Sequence, residues 1–322
     1  MGSLVGAVAV FVLFYVLAPA FRLPRSWSNM LYESATLGIP AVGVALLMIG
    51  GEFDLSAGVA VVSSALAAAM FSYQLSINVW AGVAVGLALA LLIAFVNGWL
   101  LIITKLPSFL VTLSTFLMLQ GINIALTKVL TGSVATNDIS TLGGFASAKA
   151  IFASEFTVGS IHLHVAVLWW LAFIAVGTWV LLHTQVGNWI YAVGGNADAA
   201  RAVGVPVPKV KIGLYLAVGF TVWFTGMIQL FTYSVVQSGE GPGNELLYIM
   251  AAVVGGCLLT GGYGTAIGAG IGALIYGMTK LGIVYAGWDN NWLLFFVGVM
   301  LLIATVTNTL VRRQISKRSA LA

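Results

Sequence analysis

The sequence predicts an all-α polytopic membrane protein: one domain over residues 1–322, about ten transmembrane helices, and a short helix in one cytoplasmic loop. Three observations carry this expectation. Residues A, V, I, L, M, F, W, Y and C make up 61% of the chain, charged residues 7%, and mean hydropathy is +1.07. A soluble domain carries about 25% charged residues, so this chain has too few polar side chains to cover a water-facing surface, and lipid must be its solvent. The uncharged runs recur at about 20 residues, the length that crosses a hydrocarbon core as a helix. Finally, the basic residues gather on one side of the resulting topology.

Residues 1–21 hold no charge and form the first expected span, and Ser34–Gly51 the second. Leu55–Thr104 is uncharged over about 50 residues, too long for one helix, and breaks near Ser72–Asn78 into the third and fourth. Leu106–Thr127 is the fifth. Residues 128–161 contain Asn137, Asp138, Lys149 and Glu155 and read as a loop. His164–His183 is the sixth span, and the polar segment Thr184–Lys211 follows it. Ile212–Tyr233, Leu246–Thr260, Ala266–Tyr285 and Asn291–Val311 complete the ten, with Gly261-Gly262-Tyr263-Gly264 as a tight reversal.

Ten spans put both termini on one side. If that side is the cytoplasm, Lys105, Arg201, Lys209, Lys211, Arg312, Arg313, Lys317 and Arg318 lie inside, while Arg22, Arg25, Lys128 and Lys149 lie outside. The positive-inside rule favours this orientation, although Arg22 and Arg25 oppose it locally. In a membrane protein the +4 formal charge speaks to orientation, not to nucleic acid. The N-terminus lacks the basic stretch of a cleavable signal.

Gly264, Gly268 and Gly272 recur every fourth residue, as do Gly82 and Gly86. Small residues at this spacing let helices approach closely in lipid; the sharper alternative is a glycine-lined path. An internal echo links Met48-Ile49-Gly50-Gly51 before Asp54–Gly58 with Leu259-Thr260-Gly261-Gly262 before Thr265–Gly268. A duplication leaves such traces in transporters; chance in a glycine-rich chain is the other reading.

Site chemistry is sparse. One cysteine, Cys257, excludes an internal disulfide and a multi-cysteine metal cage. Gly272–Thr279 has the spacing of a phosphate-binding loop, but Met278 holds the lysine position, so no ATP is expected on this chain and no catalytic residue is assigned. His162 and His164 fall at a loop or span start, where an interfacial role is expected rather than metal ligation. His183 ends a helix, where a cation is favourable. Glu52 and Asp54 are the only clustered carboxylates near a membrane edge. They suit a helix junction better than the acidic relay that a proton-coupled carrier needs.

The most informative stretch is Thr184–Val205. Ala197–Val203 reads as a short helix, with Asn196 to cap its start, Gly204 to end it, and Pro206 and Pro208 to prevent continuation. A short amphipathic helix in a cytoplasmic loop suits the groove of a partner; a plain connector is the other reading.

Here the chain resembles the inner-membrane permeases of ABC monosaccharide importers, the ribose/xylose/galactofuranose-type family. Asp198-Ala199-Ala200-x-x-x-Gly204 is similar to the permease "EAA…G" loop, with Asp for Glu, and Thr184-x-x-Gly187-x-x-x-Tyr191-Ala192-Val193-Gly194-Gly195-Asn196 resembles the sugar-family lead into it. Gly51-Glu52-Phe53-Asp54-Leu55-Ser56-Ala57-Gly58 resembles GGIDLSVG, with Glu52 where glycine is usual. Asn97-Gly98, Pro107–Leu113 (with Gln120 for the usual Arg before Gly121) and Ala251–Gly264 resemble three further family motifs in the family's order.

The resemblance implies a multi-pass permease of the bacterial inner membrane, with both termini cytoplasmic. Its partners would be membrane lipid, a second permease subunit (identical or sister), two cytoplasmic ATPase subunits that hold the ATP, and an extracytoplasmic sugar-binding protein. The coupling loop would comprise Gly187, Gly194, Gly195, Asn196, Asp198, Ala199, Ala200, Arg201 and Gly204. Phe53, Asp54, Ser56, Asn97 and Phe109 are the candidates for the translocation path. The other readings are a secondary carrier or facilitator for a small polyol, against which the missing acidic relay and the Asp198–Gly204 spacing speak, and a membrane scaffold.

Overall fold

A computed structural model of the protein describes residues 2–159 and 161–319, with residues 308–319 described by backbone alone. The side chains of Arg312, Arg313, Lys317 and Arg318, on which part of the expected orientation rests, lie outside the described residues. Helices account for 76% of the chain. In order they are α1 (Gly2–Leu17), a 3-10 turn (Pro19–Arg22), α2 (Pro24–Ile49), α3 (Ala57–Gln74), α4 (Val79–Thr104), α5 (Ser108–Thr131), α6 (Phe145–Phe152), α7 (Val165–His183), α8 (Gln185–Gly195), α9 (Ala197–Ala202), α10 (Val207–Tyr233), α11 (Asn244–Val254), α12 (Ala266–Tyr285) and α13 (Trp292–Ser319). Strands β1 (Glu155–Val158) and β2 (Ile161–His164) form an antiparallel hairpin between α6 and α7.

Among the described residues, seven helices are long and apolar enough to cross a membrane: α2, α3, α4, α5, α7, α10 and α12. Gly2–Leu17, Asn244–Val254 and Trp292–Thr307 are shorter apolar helices. Every expected span therefore meets a helix, but the eighth is not the helix expected over Leu246–Thr260. α11 has 11 residues, about 17 Å at 1.5 Å per residue, against a hydrocarbon core of roughly 30 Å. The chain continues as irregular backbone from Gly255 to Thr265, a state that membrane depth tolerates only inside protein. Gly255 is packed on Gly268 and Ala269 of α12, and Cys257 is fully buried, so the start of the irregular segment is enclosed, while Leu259, Thr260, Tyr263 and Thr265 further along it are exposed.

α2 begins ten residues before the expected Ser34, at Pro24 in its first turn. Arg25, Asn29 and Glu33 hide this part of the helix from a hydropathy reading. The fold supplies partners: Lys280 Nζ donates to Glu33 Oε2 at 2.7 Å, and Asn29 Nδ2 to Tyr285 Oη at 3.3 Å. α2 is the hub of the bundle and touches α12, α10, α7 and α11. α4, α5 and α7 lie further out and expose Leu92, Leu117, Met118, Trp179 and Leu182, as a lipid-solvated surface requires.

The expected loop over residues 128–161 is structured. α6 buries Ala148 and Phe152, and Phe152 stacks on Phe231 of α10 at 5.7 Å between ring centroids. The hairpin places His164 against Glu155 at 3.6 Å and against the Tyr32 ring at 4.4 Å. The packing reading of the glycine stripes holds: a Cβ on Gly86 would press on Ser64 O, one on Gly82 on Ser72 and Ala68, one on Gly268 on Gly255, and one on Gly272 on Ala251. Gly264 precedes α12 and is not part of its stripe. Gly272–Thr279 is the interior of α12, with Met278 buried, so it presents no phosphate-cradling loop.

Candidate functional junction

The expected polar loop is two helices. Thr184 caps α8, its Oγ1 accepting from Gly187 N at 3.2 Å. Gly187 is required there: a Cβ would strike Leu181 O and Val180 O at the end of α7. Asn196 caps α9 as its sequence position predicts, with Oδ1 accepting from Asp198 N at 3.1 Å and Ala199 N at 3.0 Å. Gly204 adopts φ +88°, the left-handed conformation that ends the turn. Asp198 and Arg201 pair at 3.1 Å in solvent, an interaction of small worth at such exposure.

α9 has two faces. Ala200 is buried and anchors the helix to the body of the protein, while Asp198, Ala199, Arg201, Ala202 and Val203 face outward. Val203 is 80% exposed, an unusual position for a bare valine. The outward face, not Ala200, is the one available to a partner.

Gly194, at the end of α8, touches two other segments at once. A methyl group there would overlap Ile49 O, the last carbonyl of α2, and would reach Gly262 N at 2.7 Å. Gly262 N itself donates to Ile49 O at 2.8 Å. A Cβ on Gly261 would lie 2.7 Å from both Gly51 Cα and Gly194 O, and one on Gly262 would lie 3.0 Å from Gly195 Cα. Gly51 and the glycine pairs Gly194-Gly195 and Gly261-Gly262 thus meet backbone to backbone. Tyr191 of α8 adds a second tie, donating from Oη to Gly264 O at 2.9 Å.

Beyond Gly51 the chain runs buried to the start of α3, and its polar groups find partners on α4, α5 and α10. Phe53 N donates to Ser108 Oγ at 3.1 Å, and Leu55 N to Thr112 Oγ1 at 3.0 Å. Phe53 O accepts from Tyr215 Oη at 2.9 Å. A directional chain then runs from Thr115 Oγ1 to Asn97 Oδ1 (2.6 Å), Asn97 Nδ2 to Ser56 Oγ (2.9 Å), and Ser56 Oγ to Asp54 Oδ1 (2.6 Å). Ser56 N also donates to Asp54 Oδ1 at 2.8 Å. Buried backbone needs such partners, and here side chains provide them. Gly98 lets the Tyr215 ring approach, its Cβ position lying 3.2 Å from the ring.

Four of the five path candidates are therefore neighbours. Asp54, Ser56 and Asn97 are buried and hydrogen-bonded to one another, and Phe53, half-buried beside Asp54, bonds through its backbone to Ser108 and Tyr215. Phe109 is apart from them, exposed near the start of α5. Sequence reasoning missed Ser108, Thr112, Thr115 and Tyr215. The first three lie four and three residues apart on one face of α5, a stripe of hydroxyls that was readable; nothing local marks Tyr215. Glu52, where a glycine is usual in the family resembled, forms an ion pair with Lys211 of α10.

Residues 26–305 match the family described as branched-chain amino acid transport system / permease component. The chain is 30% identical over 308 residues to the ribose import permease protein of Escherichia coli (strain K12), covering 95% of this chain and 92% of that one. It is 28% identical to the fructose import permease protein of Rhizobium meliloti, covering 92% and 81%. To the xylose transport system permease protein of Haemophilus influenzae it is 28% identical, covering 94% of each. No solved structure matches the chain.

Proposed function

The chain belongs to the family of permease components typified by branched-chain amino acid transport systems, and from that premise we propose that it is the permease subunit of an ATP-driven ABC importer for a monosaccharide or related polyol. The substrate class follows the relatives, which span nearly its whole length and are named for ribose, fructose and xylose. It sits in the inner membrane as a multi-pass protein with both termini in the cytoplasm, and ten crossings are made by the seven long helices, the three shorter ones and the irregular segment after α11. It pairs with an identical or sister permease, binds two cytoplasmic ATPase subunits that hold the ATP, and receives sugar from an extracytoplasmic binding protein. It hydrolyses nothing itself.

The observation that carries the mechanism is the packing of Gly194 against Ile49 and Gly262. α9 is the coupling helix, and its outward face docks on the ATPase. α8 joins it through the single extended residue Asn196, whose side chain caps α9, so a push on α9 arrives as backbone contact at the ends of α2 and the α11–α12 segment. Those ends border the inner half of the path. Phe53, Asp54, Ser56 and Asn97 form its wall and hold the α2–α3 junction in shape, and Phe109 lies on the face of α5 turned to the second subunit. A backbone-to-backbone joint has no side-chain torsion to absorb the push, which suits it to transmission.

The test is reconstitution of the permease with its ATPase and binding protein in proteoliposomes. ATP-dependent uptake of D-ribose, D-xylose, D-fructose or D-galactose is expected. Uptake of leucine and of none of these sugars refutes the substrate class, and uptake unaffected by omission of ATP refutes the mechanism.

A further inference from the structure

At the opposite end of α2 from the glycine junction, a polar cavity of about 410 Å³ opens between α2, α10, α12 and the segment after α10. It lies roughly 25 Å along α2 from Ile49, at 1.5 Å per residue. Its walls carry Tyr32 and Glu33 from α2, Gln229 from α10, Gln237 and Glu240 from the following segment, and Lys280 from α12. Glu33 and Lys280 are paired at 2.7 Å yet remain about one-third exposed (30% and 33%) to the cavity. Among the described residues, the side-chain amides of Gln229 and Gln237 have no protein partner. Tyr32 is fixed, its ring against His164 at 4.4 Å and its hydroxyl donating to Thr232 Oγ1 at 3.3 Å.

We propose that this cavity is a binding site for a neutral, polyhydroxylated small molecule, the first site the sugar occupies within the permease. A pocket of roughly 300–1,000 Å³ with a few convergent polar groups is the usual form of a small-molecule site. The charge balance selects the ligand class. Glu33 and Lys280 compensate each other, and Glu240 leaves a net negative wall that disfavours anions. What the site offers is hydrogen bonding at several angles. The free oxygen edge of the Glu33 carboxylate accepts from vicinal hydroxyls, Lys280 and the two amides donate to hydroxyl and ring oxygens, and the amide oxygens accept in return. The Tyr32 ring supplies an apolar wall for C–H faces. A pair that served only to tie α2 to α12 would not need two unpartnered amides turned to the same space. The inference rests on the import reading for the identity of the ligand, but places it at a site distinct from the Phe53–Asn97 wall.

The experiment uses the full-length permease in nanodiscs without binding protein. The radiolabelled probe is whichever of D-ribose, D-xylose, D-fructose, D-galactose and myo-inositol the wild-type assembled transporter takes up. Saturable millimolar binding is expected, weakened roughly tenfold by Gln229→Met, which keeps length and removes the amide, and similarly by Glu33→Gln; one hydrogen bond to a ligand is worth about a factor of ten. Both variants should retain membrane insertion and ATPase co-purification, and both should raise the KM for uptake. Absence of saturable binding up to about 100 mM, where binding is worth only about 1.4 kcal/mol, overturns the proposal, as does unchanged affinity in both variants. In either case, continuing wild-type uptake leaves the import reading intact. A transporter that takes up none of the probes refutes that reading, and this one with it.

Discussion

Gly194→Ala is the sharpest test of the junction. The added methyl group meets Ile49 O on one side and Gly262 N on the other, and both are backbone atoms that cannot rotate away. Inserting a methyl into a packed site costs about 1–3 kcal/mol. Relief of the overlap requires Ile49 and Gly262 to part, which breaks their 2.8 Å hydrogen bond and adds about 1 kcal/mol or more for the stranded groups. The joint therefore opens by about 2–4 kcal/mol, and every 1.4 kcal/mol is tenfold in its population. ATP-driven uptake per inserted protein should fall at least tenfold, while ATPase co-purification persists because the outward face of α9 is untouched. Gly195→Ala is the matched control. The same methyl one residue on meets nothing within 4 Å and the residue needs no positive φ, so it should be neutral or slightly stabilising. Wild-type uptake in Gly194→Ala, or equal damage in Gly195→Ala, refutes transmission through this contact.

Three further outcomes follow from the same geometry. Val203→Glu places a charge on the exposed face of α9 and should abolish ATPase co-purification without loss of insertion, whereas Ala200→Glu acts inside the permease and should lower its thermal stability; the reverse pattern assigns the wrong face to the partner. Lys211→Met strands Glu52, which is only 11% exposed at its side chain, and should cost about 3 kcal/mol; the double variant with Glu52→Gln should recover most of the loss in a thermal melt, and failure to recover argues against a direct pair. Single cysteines at Glu240 and Val203, both exposed, should label from opposite sides of the membrane, while the native Cys257, fully buried, should not react; labelling of both from one side refutes the orientation.

How far the sequence could be read depended on whether an element carried its own boundary signals. α4 begins where Asn78 caps it and ends before Pro107, and α9 begins at Asn196 and ends at Gly204; each signal acts within a few residues and was legible. The start of α2 was not, because Arg25, Asn29 and Glu33 read as a polar loop until Lys280 and Tyr285 are brought beside them from some 250 residues away. The shortness of α11 was hidden for the opposite reason. Leu246–Thr260 is continuously apolar, and the helix ends because Gly255 meets Gly268 and Gly256 adopts φ +99°, a tertiary demand. The site divided in the same way: the capping chemistry of α9 was local and readable, and the Thr115-Asn97-Ser56-Asp54 chain was not.

The echo between Met48–Gly58 and Leu259–Gly268 is, in three dimensions, a contact. Both segments carry left-handed glycines, Gly51 at φ +86° just after α2 and Gly261 and Gly262 at +77° and +75° in the irregular stretch before α12. Each then enters a new helix through a side-chain oxygen, Asp54 accepting from Ser56 N and Thr265 from Gly268 N at 2.9 Å. Gly262 N on Ile49 O and Gly261 over Gly51 bring the two segments together, one or two positions out of step with their sequence correspondence. Gly194 sits on both, where one element can act on the two segments together. Side chains at such a crossing would have to suit two partners at once. Backbone contact escapes that conflict, which is a physical reason for glycine to occupy all three segments.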